Sequence, residues 1–243
     1  MIIHEVRVAQ KEMDLKGKEV LQEAKILGVS IVKQIVVKNT AEFAGSAIGI
    51  ISPKKNLITD KKLKSGDRIL LCRSNGVNAN GISLTRAIAK NLPKGYATKL
   101  SNGKIYGEGL LTKTNVYARL IQDLLGAKID IHYVSNITGH GLRKIMRARQ
   151  NFTYVIKKIF DPQEIFLFIQ KNANLSDYEM YKTFNMGMDY AIFLRPKDIK
   201  KTKSIIRSCG FESIDAGYVE EGERQVVIKP KNIVYKSETL SIR

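Results

Sequence analysis

Two glycine-rich segments carry residue types that could bind a phosphate group. They are residues 74–81, SNGVNANG, and residues 136–141, NITGHG, and each follows an apolar stretch and precedes a helical pattern. Glycine allows the backbone to approach a ligand closely, and the first turn of a helix offers N–H groups without a partner. The same composition is also typical of tight strand-to-helix connections that bind nothing. The candidate binding residues of these segments are Ser74, Gly76, Asn80, Gly81, Thr138, Gly139, His140 and Gly141.

A third candidate segment is residues 183–187, TFNMG, which lies between a predicted helix and a predicted strand. Ser176 and Glu179 have the spacing of a capping box, which predicts that the helix begins directly after Ser176. Gly187 admits close approach of the backbone, and Asn185 either binds a substrate or shapes the turn before the strand. The candidate binding residues here are Thr183, Asn185 and Gly187.

The titratable residues do not identify a catalytic group. His140, between two glycines, could act in acid–base chemistry or be a structural surface residue, whereas His132 in an apolar strand pattern is predicted to be packed and hydrogen-bonded. Arg143 and Arg147 could pair with phosphate or lie solvated on an exposed helix face. The sequence lacks a Walker or dinucleotide motif, a zinc-ligand spacing and a carboxylate cluster, so no metal site is predicted.

The composition is that of a globular protein with an excess of basic residues. Hydrophobic residues make up 44% of the 243 residues, and 41 Lys and Arg against 23 Asp and Glu give a net charge of +18. No apolar run is long enough to span a bilayer and the first residues do not resemble a signal peptide, so we expect a cytoplasmic location without a membrane. The basic residues are dispersed and lack interleaved stacking aromatics, so nucleic acid is not the expected partner.

The pattern of apolar residues predicts an α+β fold in which strands and helices are interleaved. Strands are predicted near residues 2–8, 29–37, 43–51, 68–72, 129–134, 152–156, 191–194, 213–219 and 225–228. Helices are predicted near residues 20–27, 81–92, 116–124, 142–147, 162–169, 176–183 and 196–209. Residues 94–109 are predicted to be irregular, and residues 231–243 to form a polar, mobile tail.

Four of these segments resemble, in order, motifs of the AIR synthetase family, the phosphoribosylformylglycinamidine cyclo-ligases. Residues 179–187, EMYKTFNMG, are similar to the family's EMYRTFNMG. Residues 74–84, 110–117 and 136–142 are similar to parts of GSSGxHSNGxSL, LLxPTRIY and HITGGGL. The residues that depart from these motifs include Asn78, Asn115, Asn136 and His140, which stand where the family has His, Arg, His and Gly.

The resemblance implies a fold and a domain organisation. Residues 53–230 would form a domain like the C-terminal domain of AIR synthetase, a mixed sheet with packed helices. Residues 1–52 would be a remnant of the family's N-terminal nucleotide-binding domain, and residues 231–243 the tail. The family's GGETAxxPG motif and its Asp-rich metal motif have no counterpart here.

The resemblance also implies a function in purine biosynthesis. The family converts formylglycinamidine ribonucleotide to aminoimidazole ribonucleotide with ATP and Mg²⁺, although no ligand of either can be identified from this chain alone. The expected partners are a ribonucleotide substrate and either a second copy in a homodimer or a separate chain that supplies the nucleotide domain. Two alternatives stay open: a non-catalytic binding or assembly protein that retains the fold, and a basic RNA-binding protein.

Overall fold

The computed structural model describes residues 30–37, 40–46 and 51–240, and the chain divides into two compact units, Met1–Leu57 and Ile58–Arg243. In the first unit, strands β1 (Ser30–Val37) and β2 (Thr40–Ser46) form an antiparallel hairpin. β2 begins earlier than predicted because Val37 pairs with Thr40. The strand and helix predicted over residues 2–8 and 20–27 lie outside the described residues.

The second unit contains a seven-stranded mixed sheet, which confirms the predicted fold class. Its strands are β3 (Arg68–Arg73), β4 (Ile131–Asn136), β5 (Phe152–Ile156), β6 (Met188–Leu194), β7 (Ser213–Glu221), β8 (Gln225–Ile228) and β9 (Ile233–Lys236). They are arranged in the order β4-β6-β3-β7-β5-β8-β9. Neighbouring strands are antiparallel except β5 and β8, which run parallel. The third strand in this order, β3, is the first of the seven in the sequence.

Six α-helices accompany this sheet in the described part of the chain. They are α1 (Ile82–Asn91), α2 (Tyr106–Leu110), α3 (Ala118–Gly126), α4 (Glu164–Ala173), α5 (Asp177–Thr183) and α6 (Ile199–Ser208). α5 begins with the predicted capping box, because the Ser176 hydroxyl accepts from the Glu179 N–H and the Glu179 carboxylate accepts from the Ser176 N–H. The predicted helix near residues 142–147 is instead a 3₁₀ helix, Gly141–Arg147.

Helices cover both faces of the sheet. Alternate residues of a strand point to opposite faces, and in β3 Ile69 and Leu71 belong to one buried cluster while Leu70 and Cys72 belong to another. The larger cluster includes side chains of α1, α4 and α5, and the smaller includes side chains of α3 and α6. A strand buried on both faces is apolar throughout, which explains the continuous run Ile69-Leu70-Leu71.

The sheet extends into the segment for which a mobile polar tail was predicted. β9 pairs with β8 through Tyr235 and Val226, and Ile233 and Tyr235 are buried while Val234 and Lys236 are exposed. Leu240 is also buried. The prediction of a mobile tail is therefore wrong over residues 233–240, because the overall polarity of this segment conceals an alternating strand pattern.

Candidate functional site

The three candidate segments meet around the connection between α5 and β6. Gly81, at the start of α1, has φ +62°, and a Cβ atom built on it would lie 2.4 Å from the Phe184 ring. Gly141 has φ +53°, and a Cβ atom there would lie 2.0 Å from the carbonyl oxygen of Tyr181. Both positions require glycine, since an L side chain would be strained and would collide with its neighbours. Both phosphate-loop candidates thus pack against the TFNMG segment.

Asn185 connects the first loop to this segment from a fully buried position. Its Nδ2 donates to the Gly76 carbonyl at 2.9 Å, and its Oδ1 accepts from the Gly187 N–H at 3.0 Å and lies 3.1 Å from the Ser74 hydroxyl. The Ser74 N–H also donates to the Gly187 carbonyl at 2.9 Å. The amide of Asn185 is therefore engaged by the protein itself, and it fixes the backbone of residues 74–76.

Asn80, in the first glycine-rich loop, lies beside the second. A Cβ atom built on Gly139 would lie 3.8 Å from Asn80 Oδ1, which places this amide beside the second loop. Asn80 is 4% exposed, and its Nδ2 has no hydrogen-bond partner within the described residues. This nitrogen is a buried donor whose hydrogen bonds are not satisfied by the described residues.

The remaining candidates lie at the edges of this arrangement. Thr138 and His140 are half-buried in the second loop, and Thr183 is half-buried at the last residue of α5. The pKa of His140 is lowered by partial burial and then by Arg143, Arg147 and Lys144, which favours the neutral imidazole.

The side chains of His132 and Arg143 are held by hydrogen bonds within the protein. His132 is buried, with its Nδ1 2.7 Å from an Asp67 carboxylate oxygen, as its strand pattern predicts. Arg143 is buried and donates to the carbonyl oxygens of Lys182 and Thr239, so it is neither solvated nor free to bind phosphate.

A polar cleft of about 430 Å³ opens beside the first loop. Residues that line it include Arg73, Asn75, Asn115, Gln163 and Glu212. Arg73 and Glu212 form an ion pair at 3.3 Å, and Gln163 Nε2 donates to the Ser74 carbonyl. The amide groups of this cleft are largely engaged by the protein, because Asn75 Nδ2 donates to the Lys113 carbonyl and to Asn115 Oδ1, and Asn115 Nδ2 donates to the Arg73 carbonyl.

Asp189 is a buried carboxylate at this site that is not among the residues predicted from the sequence. It receives hydrogen bonds from the Tyr117 hydroxyl, from Asn78 Nδ2 at 3.3 Å and from Asn115 Nδ2 at 3.4 Å. Burial raises its pKa to about 6, against the opposing effect of these hydrogen bonds. In the sequence, this site is indicated by an acidic residue within the otherwise largely apolar strand β6.

We expect Asp189 to make the stability of the folded chain depend on pH. A carboxyl whose folded pKa is raised binds its proton more tightly in the folded state than in the unfolded state. Below about pH 4, Asp189 therefore contributes roughly 3 kcal/mol to the free energy of unfolding. This contribution is lost as the pH rises through about 6. Urea unfolding of the wild type and of Asp189→Asn between about pH 4 and 7 should show this loss only in the wild type.

Glu212→Gln provides the control for this experiment because it makes the same acid-to-amide change at an exposed position. This variant should lose stability between the two pH values as the wild type does. If the free energy of unfolding changed with pH equally in the wild type and in Asp189→Asn, the pH dependence could not be assigned to Asp189.

The described residues contain no group of three or more His, Cys, Asp or Glu side chains that could hold a metal ion. Among the helices of the described segments, none is long and apolar enough to cross a membrane.

Comparison with known proteins identifies the second unit. Residues 64–229 match the family model described as AIR synthase related protein, C-terminal domain. Phosphoribosylformylglycinamidine cyclo-ligase of Methanocaldococcus jannaschii is 36% identical over 166 residues, which are 68% of this chain and 47% of that protein. The protein of the same name from Methanosarcina barkeri is 34% identical over 193 residues, 79% of this chain and 56% of that protein. The chain thus spans about half the length of these relatives.

A solved structure supports the fold. The crystal structure of E. coli HypE, a hydrogenase maturation protein, superposes with a TM-score of 0.56 at 13% identity, covering 95% of this chain and 70% of that one. At this identity the likeness concerns the fold alone. With the match to the family model over most of its length, the chain belongs to the AIR synthase related family and contains its C-terminal domain.

Proposed function

We propose that this chain provides the C-terminal domain of an ATP-dependent cyclo-ligase of purine biosynthesis. In this reaction, formylglycinamidine ribonucleotide is converted to aminoimidazole ribonucleotide. ATP phosphorylates the formyl oxygen, and a nitrogen of the same substrate then displaces the phosphate as the ring closes. The observation that carries the proposal is the meeting of the two glycine-rich loops and the TFNMG segment at one place.

In this proposal the chain binds and orients the substrates. The first loop is fixed by Asn185, and the second loop by the packing of Gly141 on α5. Fixed N–H groups and the unpartnered amide of Asn80 suit the phosphate groups that both ATP and a ribonucleotide carry. Preorganised donors bind without the entropic cost of ordering a loop.

The proposal requires residues for ATP that this unit does not provide by itself. The described side chains offer no carboxylate cluster that fits Mg²⁺, so we assign no step to the metal through these residues. A second copy in a homodimer, or a partner chain with a nucleotide-binding domain, would supply the rest of the site. Residues 1–52 would be the remnant of such a domain.

A non-catalytic binding or assembly function is the second candidate. It is favoured by the contacts of Asn78 and Asn115, which stand where AIR synthetases have His and Arg. Both donate to the same carboxylate oxygen of Asp189. Side chains committed to an internal carboxylate are not free to act on a substrate.

Calorimetry and a turnover assay separate these functions. We expect the purified chain to bind ATP or a ribonucleotide with a micromolar dissociation constant, and to form aminoimidazole ribonucleotide only after a nucleotide-binding partner is added. Binding without turnover in any combination would favour the non-catalytic function. Rapid turnover by the isolated chain would contradict the need for a partner, and the absence of any nucleotide binding would reject the cyclo-ligase proposal.

A further inference from the structure

Asp189 forms hydrogen bonds to three connections that surround the candidate site. Its carboxylate accepts from Asn78 Nδ2 in the first glycine-rich loop, and from Asn115 Nδ2 and the Tyr117 hydroxyl in the connection before α3. Its backbone carbonyl accepts from the Ile137 N–H of the second glycine-rich loop at 2.8 Å. Asp189 also follows the TFNMG segment by two residues. A single residue of β6 therefore links all the segments of the site.

The side-chain groups that contact the carboxylate are all donors. The ring centroid of Tyr117 lies 4.4 Å from that of Tyr190 and 4.8 Å from that of Phe211, so aromatic packing fixes the position of the Tyr117 hydroxyl. An ionised carboxylate only accepts hydrogen bonds and has room for three donors, whereas a protonated carboxyl carries an O–H that needs an acceptor of its own. Protonation of Asp189 therefore breaks or reverses at least one of these hydrogen bonds.

Asn78 is the donor with a ready alternative. Its buried Oδ1 has no hydrogen-bond partner within the described residues, so it can accept from a protonated Asp189 once the amide has turned over. Asn115, in contrast, has a second acceptor in the Arg73 carbonyl at 3.0 Å. The backbone of Asn78 is left-handed, with φ +55°, which is unfavourable for residues other than glycine and depends on side-chain contacts to hold it. The contacts of Asn78 therefore change with the ionisation of Asp189.

No cation compensates the charge of Asp189. Within residues 51–240, no ion pair includes it, and the titratable side chains that face it are those of Tyr117 and of Cys72 on β3. Burial and the charge of Asp189 raise the pKa of both groups, so both are uncharged at neutral pH. Burial raises the pKa of Asp189 itself to about 6. A buried carboxyl with a shifted pKa is common at functional sites.

We infer that Asp189 is a positioning residue whose ionisation sets the arrangement of the first loop and makes ligand binding at the candidate site depend on pH. The ionised carboxylate holds Asn78, Asn115 and Tyr117 as in this structure, and the protonated carboxyl releases Asn78. The effect on ligand binding rests on the proposed function, whereas the change in arrangement rests only on the hydrogen bonds of Asp189. Asp189→Asn imitates the protonated carboxyl, because an amide of the same shape also carries both donors and an acceptor.

NMR spectroscopy of the full chain without ligand tests the change in arrangement. Between about pH 4.5 and 7.5, we expect the side-chain amide signals of Asn78 and Asn115 to shift with a midpoint near pH 6. Asp189→Asn should abolish this shift. Tyr117→Phe keeps the ring and removes one donor to the carboxylate, so the midpoint should move to higher pH. This variant provides a second measurement if Asp189→Asn does not fold.

Calorimetry with ATP and with adenosine 5′-monophosphate tests the effect on binding. If the ionised form alone binds, the affinity of the wild type should fall about tenfold between about pH 7.5 and 5, in addition to any change in Asp189→Asn. The variant should bind weakly at both pH values. Titration of the ligand phosphates and of His140 affects both proteins equally, so it cancels in the comparison.

Asp60→Asn is the matched control, because it makes the same acid-to-amide change at another buried aspartate. The Asp60 carboxylate accepts from the backbone and the guanidinium of Arg149, which lowers its pKa and keeps it ionised over this pH range. Asp60→Asn should therefore reproduce the NMR midpoint of the wild type and the pH dependence of its nucleotide affinity.

Several outcomes would overturn the inference. They are the absence of a shift of the Asn78 signals near pH 6, or an equal shift in the wild type and Asp189→Asn. Nucleotide binding with the same pH dependence in these two proteins would reject the effect of Asp189 on binding and leave the proposed function standing. A shift that depends on Asp189, without nucleotide binding at any pH, would support the change in arrangement and count against the proposed function.

Discussion

Gly141→Ala is expected to destabilise the folded chain by about 4 kcal/mol, enough to prevent folding if its stability is typical of a domain. The new Cβ atom would lie 2.0 Å from the Tyr181 carbonyl oxygen and 2.9 Å from that of Phe184. These are backbone atoms at the end of α5, which cannot move aside as a flexible side chain can. Overpacking and a left-handed φ of +53° both contribute to the loss.

Gly103→Ala separates the two contributions. Gly103 has φ +80°, and nothing lies within 4 Å of the position that an alanine Cβ would occupy, so alanine there is strained without a collision. We expect a loss of about 1 kcal/mol for this variant. Urea unfolding of both variants measures the difference, and equal losses would show that the packing of Gly141 on α5 is not tight.

Asn185→Ala is expected to reduce the free energy of unfolding by about 3 kcal/mol. The substitution leaves the buried Gly187 N–H without its acceptor, and the Gly76 carbonyl keeps only the longer hydrogen bond from the Ser74 hydroxyl at 3.3 Å. Each buried polar group that loses its hydrogen bond costs about 1–3 kcal/mol. Denaturant unfolding measures the loss, and hydrogen exchange should show faster exchange of the Ser74 and Gly187 amides.

Asn172→Ala is the control for Asn185→Ala. Asn172 is exposed on α4 and donates only to the Phe168 carbonyl, so its loss should be less than about 1 kcal/mol. Ligand affinity should fall in Asn185→Ala and not in Asn172→Ala, because only Asn185 fixes the first loop. Native stability and unchanged amide exchange in Asn185→Ala would contradict this role.

Local features of the sequence predict local features of the structure. The capping box of α5 joins residues three positions apart, and the strands over residues 152–156 and 225–228 follow from short apolar patterns. The resemblance to AIR synthetase motifs predicts the family and the mixed sheet. Short sequence patterns predict these elements because the interactions that form them join residues only a few positions apart.

The interactions that build the site are not local, and they could not be predicted in the same way. Ser74 and Asn185 are 111 residues apart, as are Asn78 and Asp189. Asp189 could not be recognised because a single acidic residue in an apolar strand gives no indication of its donors. Arg143 was expected to bind phosphate or to lie on an exposed face, but its acceptors, Lys182 and Thr239, are distant carbonyl groups that no side-chain pattern reveals.

The interior position of β3 in the sheet affects how this unit is synthesised and folds. Arg68 of β3 contacts Asp215 of β7 across 147 residues, and the other neighbour of β3 is β6. During translation β3 therefore has neither of its neighbours until most of the unit has left the ribosome. Long-range pairing of this kind slows folding and exposes an apolar strand to aggregation. Cleavage of the chain between β3 and β6 would place β3 on a different fragment from both of its neighbours.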